Sequence, residues 1–176
     1  WISTTYGKPD PGQQSREIRW LAERGAEICL IHAGYTDTHH VQAENRIVGL
    51  EGLLKLVRDL GMVPGVSTHS PQTVRTCERA GYDAEAYILP INATGYLCPT
   101  EPSQVSRLIK GVEKPFVAIK PLASGRITPC EGLSYAYAAV KDRDTVALGI
   151  SSIEEAEEDI SLVKGLLKAT REPREE

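Results

Sequence analysis

No apolar run in the chain approaches the ~18 residues that a membrane-crossing helix requires. The N-terminus also lacks the charged segment and apolar stretch of a secretory signal. A basic excess is missing too: the formal net charge is -4, and basic residues are scattered among acidic ones. That balance disfavours binding to a phosphate backbone. None of the four cysteines (Cys29, Cys77, Cys98 and Cys130) forms a Cys-x-x-Cys pair, and no histidine lies at zinc-finger spacing from them. They read as reduced thiols of a cytoplasmic protein. No metal, membrane or nucleic-acid partner is expected; a small-molecule substrate is. An initiating methionine is also lacking, since the chain starts at Trp1 and Met62 is its only methionine. Upstream sequence is therefore expected to be missing.

What is present suits a globular domain: 41% hydrophobic and 25% charged residues, over a length able to bury one core. Five apolar runs of strand length stand out, at 28–33, 62–67, 86–92, 116–122 and 145–150, with a shorter sixth at 2–5. Helical spacing fills the intervals. Ile18, Leu21 and Ala22 recur within 14–24, Ile47, Leu50, Leu54 and Val57 share one face of 44–60, and Val105, Leu108 and Ile109 recur within 101–112. Ser70-Pro71 opens a helix over 71–80, Thr128-Pro129 with Glu131 opens another, and Ser152 with Glu155 opens a third over 152–169. Gly25, Gly61 and Gly81 each follow a helix end, where a left-handed cap is favoured.

The strand starts at 28, 62, 86, 116 and 145 repeat at near-regular intervals, with a helix in each gap. Such alternation with right-handed crossovers gives a parallel sheet. The predicted fold class is α/β, a partial TIM barrel holding about five to six of the eight (β/α) units, because a whole barrel takes about 250 residues. The missing units are expected to be N-terminal. One domain is expected over 1–170, followed by a charged tail at 171–176. An open doubly wound sheet would carry a Gly-x-Gly-x-x-Gly loop after its first strand, and Gly34-Tyr35-Thr36-Asp37 does not supply one.

In a barrel the chemistry sits on loops beyond the C-terminal strand ends. Polar residues cluster there: His32 with Tyr35 and Asp37, then Ser67-Thr68-His69, then Asn92, then Lys120 with Ser124-Gly125-Arg126, then Gly149 with Ser151-Ser152. His32, His69 and Lys120 are the catalytic candidates. A histidine moves protons near neutral pH, and an inward lysine must meet a carboxylate, phosphate or substrate. Strand alternation predicts Ala118 and Lys120 facing the barrel axis, with Val117 and Ile119 facing the helices. By the same rule Gly65, Ser67 and His69 share a face, and Thr145, Ala147 and Gly149 point inward while Val146 and Leu148 face the helices. Tyr35, Asp37, Ser67, Thr68 and Asn92 are candidates for binding substrate. Ser124, Gly125, Arg126, Gly149, Ser151 and Ser152 are candidates for cradling a phosphate beside a helix N-terminus. The acidic run Glu154, Glu155, Glu157, Glu158 and Asp159 opposes an anion there. His39 and His40 are expected in a solvent-exposed loop.

Five segments in series carry a resemblance: Cys29-Leu30-Ile31-His32, Pro64-Gly65-Val66-Ser67-Thr68-His69-Ser70-Pro71, Ile88-Leu89-Pro90-Ile91-Asn92, Ala118-Ile119-Lys120-Pro121-Leu122-Ala123-Ser124-Gly125-Arg126, and residues 147–158. Together, over about residues 15–165, they resemble the later strands of the aldo/keto reductase barrels. They equally resemble a group of TIM-barrel proteins without an assigned reaction. The reductase resemblance implies that His32 binds a substrate carbonyl oxygen and that Ser67 and Asn92 approach a nicotinamide. It further implies that residues 120–125 and 149–152 line the ribose and pyrophosphate of NAD(P). The family's catalytic tyrosine, aspartate and lysine come from earlier strands, and the acidic run replaces the basic residues that hold a 2′-phosphate.

Three functions follow as expectations. The first is a barrel enzyme acting by acid/base chemistry on a small carbonyl or phosphorylated metabolite, as an isomerase or aldolase would; a Schiff base on Lys120 is a further chemistry open to it. The second is an aldo/keto reductase-like oxidoreductase using NAD(P). The third is a non-catalytic truncated barrel that self-associates through its open sheet edges.

Overall fold

The computed structural model describes residues 1–171, with side chains to residue 168, so 172–176 of the expected charged tail lie outside the described residues. In chain order the elements are β1 (Ile2–Thr4), α1 (Pro11–Glu23), β2 (Ile28–Ile31), the one-turn α2 (Ala33–Thr36), β3 (His40–Val41), β4 (Arg46–Ile47), α3 (Leu50–Asp59) and β5 (Val63–Ser67). There follow α4 (Pro71–Ala80), β6 (Ala86–Pro90), α5 (Pro102–Gly111), β7 (Phe116–Ile119), α6 (Pro129–Ala139), β8 (Thr145–Ala147) and α7 (Ile153–Arg171). Six strands pair in parallel in the order β1-β2-β5-β6-β7-β8 and curl into a half-barrel, a partial (β/α) barrel. Each strand run expected from the sequence contains a strand, and the short run at the N-terminus is β1.

The outer face of the sheet carries Cys29, Ile31, Val66, Tyr87, Leu89, Phe116 and Ala118. These form one core with Ile18 and Leu21 of α1, Leu53, Leu54 and Val57 of α3, Val74 and Cys77 of α4, and Val105 and Ile109 of α5. Leu30 and Ile88 are buried on the opposite, inner face. Gly65 makes room there: a Cβ on it would lie 2.8 Å from Leu30 Cγ and 2.7 Å from the Ala86 carbonyl oxygen. Gly25, Gly61 and Gly81 close their helices at positive φ, as expected.

Two expectations are corrected. On β7 the faces are reversed: Phe116 and Ala118 belong to the helix-side core, while Val117 and Ile119 turn inward. Register explains this, since Val117 and Ile119 pair with Thr145 and Ala147, which do point inward, whereas Ala118 pairs with Val146 of the core side. Lys120 lies past the strand at φ +58, so alternation does not extend to it. The helix expected over 44–60 starts only at Leu50. Before it, β3 and β4 form a hairpin around a 3₁₀ turn at Gln42–Glu44, because Asn45 and Gly49 both take left-handed conformations that interrupt a helix.

Candidate active site

The loop after β1 is built by Gln14, a fully buried side chain of α1. Its Nε2 donates to the carbonyl oxygens of Tyr6 and Lys8, each at 2.8 Å, and its Oε1 accepts from the Thr5 hydroxyl. Thr5 Oγ1 in turn accepts the His32 backbone N–H at 3.0 Å. The pinned loop lays Gly7 over the His32 ring, where a Cβ would be 3.0 Å from both Cε1 and Nδ1. It also presses Gly7 against Gly34, where a Cβ would be 2.3 Å from the Gly7 carbonyl oxygen. His32 is the N-cap of α2, and its Nδ1 accepts the Gly34 N–H at 2.9 Å. That bond leaves the neutral ring's proton on Nε2, the nitrogen turned away from the backbone. Burial, with the charges of His69 and Lys120, lowers the His32 pKa against an opposing pull from Asp37. The ring is therefore a neutral donor at neutral pH.

Asp37 caps the other end of α2. Its Oδ2 accepts the His69 N–H at 2.9 Å and lies 3.7 Å from His69 Nδ1, within ion-pair reach. Its Oδ1 accepts from the Thr68 hydroxyl and, at 3.3 Å, from Thr73. Burial pushes the carboxyl up, but the bonds from His69 and Thr68 outweigh it and hold the pKa below the ordinary value. Asp37 is thus an anion on the Nδ1 side of His69, a ring 38% exposed, which leaves Nε2 as the nitrogen on the far side from the carboxylate. Among the described residues Lys120 has no carboxylate partner, and its charge reaches His32.

The remaining candidates divide into three places. Ser67 and Thr68 sit buried at the end of β5, where the Ser67 carbonyl oxygen accepts from Thr36 at 2.7 Å. Asn92 organises its own loop: Oδ1 accepts from Tyr96 N–H at 2.8 Å and from Thr94 Oγ1 at 3.0 Å, and Nδ2 donates to the Tyr96 carbonyl oxygen. Tyr35 does not reach the rim. It is fully buried, stacks on His39 at 4.1 Å and donates to the Val48 carbonyl oxygen at 3.0 Å. His39 and His40 are half-buried rather than exposed, because the hairpin folds back on α4 and places His40 between Thr73 and Thr76.

Lys120, Ser124, Gly125, Arg126 and Gly149 line a separate cleft of about 1030 Å³ between β7, β8 and the start of α7. Three residues of its wall, Lys120, Ser124 and Gly125, have positive φ, and so does the buried Ala123 in the same loop. Three of these four are not glycine, and each such residue costs of order 1 kcal/mol, a strain that marks functional loops more often than inert ones. Arg126 stacks its guanidinium 4.2 Å over the Tyr96 ring. Ser151 and Ser152 do not line the cleft. Ser151 gives its N–H and hydroxyl to Glu155, both at 2.8 Å, and Ser152 Oγ accepts the Glu155 N–H. The chain's own carboxylate thus fills the anion position at the α7 N-terminus. With Glu158 and Asp159 on the same wall, the residues there do not fit a pyrophosphate.

Gly7, Gln14 and Thr73 carry no local signal in the sequence, and His40 reads there only as a loop residue. Their roles come from contacts between loops and helices distant in the chain; the pairing of His40 with Thr76 spans 36 positions.

The class these features define is a parallel (β/α) half-barrel with its polar groups gathered at the C-terminal strand ends. No protein-family model matches the sequence, and no curated protein is significantly similar to it. Among solved structures, a Pseudomonas aeruginosa protein provisionally described as an aldo-keto reductase is similar at a TM-score of 0.60 and 17% identity, over 91% of this chain and 61% of that one. That likeness shows the fold. The chain spans about three-fifths of the length of that protein. A designed cube-shaped, porous protein cage made by fusing symmetric oligomeric domains aligns at a TM-score of 0.42 and 11% identity, over 97% of this chain and 72% of that one, too low to bear on the fold.

Proposed function

We propose that the rim formed by His32, His69, Asp37 and Lys120 performs acid/base chemistry on a small carbonyl compound, removing a proton from the carbon next to the carbonyl. The observation that carries this is the opposed placement of partners around the two imidazoles, an N–H donor at one Nδ1 and a carboxylate beside the other. His32 Nδ1 is occupied by the Gly34 N–H, so Nε2–H donates to a carbonyl oxygen. Asp37 lies on the Nδ1 side of His69, so Nε2 accepts a proton. In the step, the Cα–H bond breaks, its proton passes to His69 Nε2, and its electron pair moves to the carbonyl oxygen as an enolate. Donation from His32 and the nearby Lys120 charge stabilise that oxygen. On an α-hydroxy carbonyl the hydroxyl proton passes to the enolate oxygen, the carbonyl re-forms at the former hydroxyl oxygen, and return of the proton from His69 to the former carbonyl carbon completes an isomerisation; return to the original carbon gives exchange alone.

The test follows loss of α-proton signals of hydroxyacetone in D₂O by ¹H NMR. Catalysed exchange is expected, with His69→Gln slowing it about 10²-fold or more, the usual contribution of a positioned base. Exchange at the buffer rate with the unmodified protein refutes the proposal.

A second reading is an oxidoreductase using a dinucleotide, favoured by the likeness of fold and by the cleft beside Lys120. The self-capped α7 N-terminus weighs against it. Titration with NADH and NADPH, followed by protein fluorescence, decides: saturable quenching by either supports this reading, and no binding at millimolar concentration removes it.

A further inference from the structure

We infer that Asp37 is the positioning residue of His69, and that His40 is the outer member of the same relay, joined to Asp37 through the Thr73 hydroxyl. The inference rests on the acid/base reading of the rim and adds how its base is held. His40 lies on β3, and its two ring nitrogens meet two hydroxyls of α4: Nδ1 is 3.2 Å from Thr73 Oγ1 and Nε2 is 2.8 Å from Thr76 Oγ1. Thr73 also donates to Asp37 Oδ1 at 3.3 Å, and Thr76 to Asn45 Oδ1 at 3.3 Å. Thr73 and Thr76 are both fully buried, so no solvent stands in for a missing partner.

Counting hydrogens decides the polarity of this chain. Each threonine has one hydroxyl hydrogen, and the carboxylate only accepts. If both hydroxyls donate outward, both ring nitrogens must carry hydrogen, which only the imidazolium provides. Burial lowers the His40 pKa, opposed by Asp37, so the ring is neutral at neutral pH and one outward bond gives way. The bond from Thr73 to Asp37 is charge-assisted, whereas that from Thr76 to Asn45 joins neutral groups, and charge-assisted bonds are roughly twice as strong. Thr76 therefore turns its hydrogen to Nε2, and His40 rests as the Nδ1–H form. The chain then runs His40 Nδ1–H to Thr73, Thr73 to Asp37, with Asp37 facing His69.

The ionisable surroundings of His40 are few. Asp37 faces it from the end of α2. The α4 face against it presents Thr73 and Thr76, and on its own hairpin Glu44 and Arg46 pair with each other at the exposed turn. The neighbouring His39 is stacked on Tyr35.

The experiment is long-range ¹H–¹⁵N NMR on the full chain labelled at histidine, near pH 7.5. His40 is expected with a protonated Nδ1 and a pyridine-type Nε2. Thr73→Val should convert it to the Nε2–H form, while Thr73→Ser, which keeps the hydroxyl, should restore Nδ1–H. Asp37→Asn should remove the Nδ1–H preference of His69. An Nε2–H His40 in the unmodified protein overturns the inference, and so does a His69 ring indifferent to Asp37→Asn. If Thr73→Val does not fold, the unmodified and Thr73→Ser spectra still decide. None of these readouts involves turnover, so this tautomer pattern in a protein without carbonyl activity would refute the function and leave the relay standing.

Discussion

Replacing Gly34 with alanine should unseat the His32 loop and destabilise the protein, and the reason is space alone. Gly34 is not at positive φ, so alanine meets no backbone penalty there. Its Cβ would lie 2.3 Å from the Gly7 carbonyl oxygen, 2.7 Å from its carbon and 2.9 Å from its Cα. All three are backbone atoms, so no rotamer change relieves the clash, and the loop must move by about 1 Å to reach ordinary van der Waals contact. That loop is held by two hydrogen bonds from Gln14, to the Tyr6 and Lys8 carbonyl oxygens. Overpacking of this kind costs about 1–3 kcal/mol, and each strained hydrogen bond adds up to about 1 kcal/mol. Gly34→Ala is therefore expected to destabilise by about 2–4 kcal/mol in equilibrium urea unfolding. Gly52, within α3 and with nothing near its would-be Cβ, supplies the control: Gly52→Ala should stabilise by about 0.5–1 kcal/mol. A Gly34→Ala protein within about 0.5 kcal/mol of the original would refute the loop geometry on which the His32 assignment depends.

Three further expectations concern the whole molecule. Burial pushes the thiols of Cys29 and Cys98 up to about 11 and that of Cys77 up to about 12, while Cys130 is exposed, so iodoacetamide at pH 8 should modify Cys130 alone in the folded chain; mass spectrometry showing a second alkylated cysteine would count against this packing. His32 and His40 are both held below the ordinary 6.5, so the unfolded rings take up protons first as pH falls. Their contribution is full above 6.5 and is lost as pH drops through the depressed folded values, whereas that of Asp37 is full above 3.8 and is lost below it. The urea midpoint should thus fall between pH 8 and pH 5, less so with His32→Asn and His40→Asn combined, and a midpoint that rises would contradict the burial of these rings. Finally, among the described residues β1 and β8 each have an unpaired side in the sheet, and Trp1 and Ile2 beside the first edge are half-exposed. Self-association is expected by light scattering at micromolar concentration, and a monodisperse monomer would count against it.

Much of the fold was legible because its causes are local. The apolar runs set the strands, the Pro-initiated and glycine-capped segments set the helices, and their alternation set the parallel order. The errors came where local and distant causes compete. Ile47 and Leu50 fall at helical spacing, yet Asn45 and Gly49 turn the chain left-handed and place Ile47 in a hairpin. Lys120 follows an apolar strand, but its positive φ removes it from the alternation. Tyr35 stands just past a strand end, and the turn of α2 carries its ring into the core instead of the rim. Asp144 gave no signal at all. Its buried carboxylate accepts the Phe116 and Lys141 N–H groups and pairs with Lys141 Nζ at 3.0 Å, a cap on β7 that depends on residues 28 positions apart. For the candidate site, the strand-end rule pointed to His32, Asp37, His69 and Lys120, which all lie beyond C-terminal strand ends. It could not show which nitrogen of each imidazole is free, because that depends on Gly34 N–H and on Asp37.

The central claim is that one imidazole at the rim donates while the other accepts. Long-range ¹H–¹⁵N NMR of His32 and His69 near pH 7.5 measures this directly. The expected spectrum has His32 protonated on Nε2 and His69 protonated on Nδ1 with a bare Nε2. Two rings in the same tautomer, or His32 carrying its proton on Nδ1, would contradict the account.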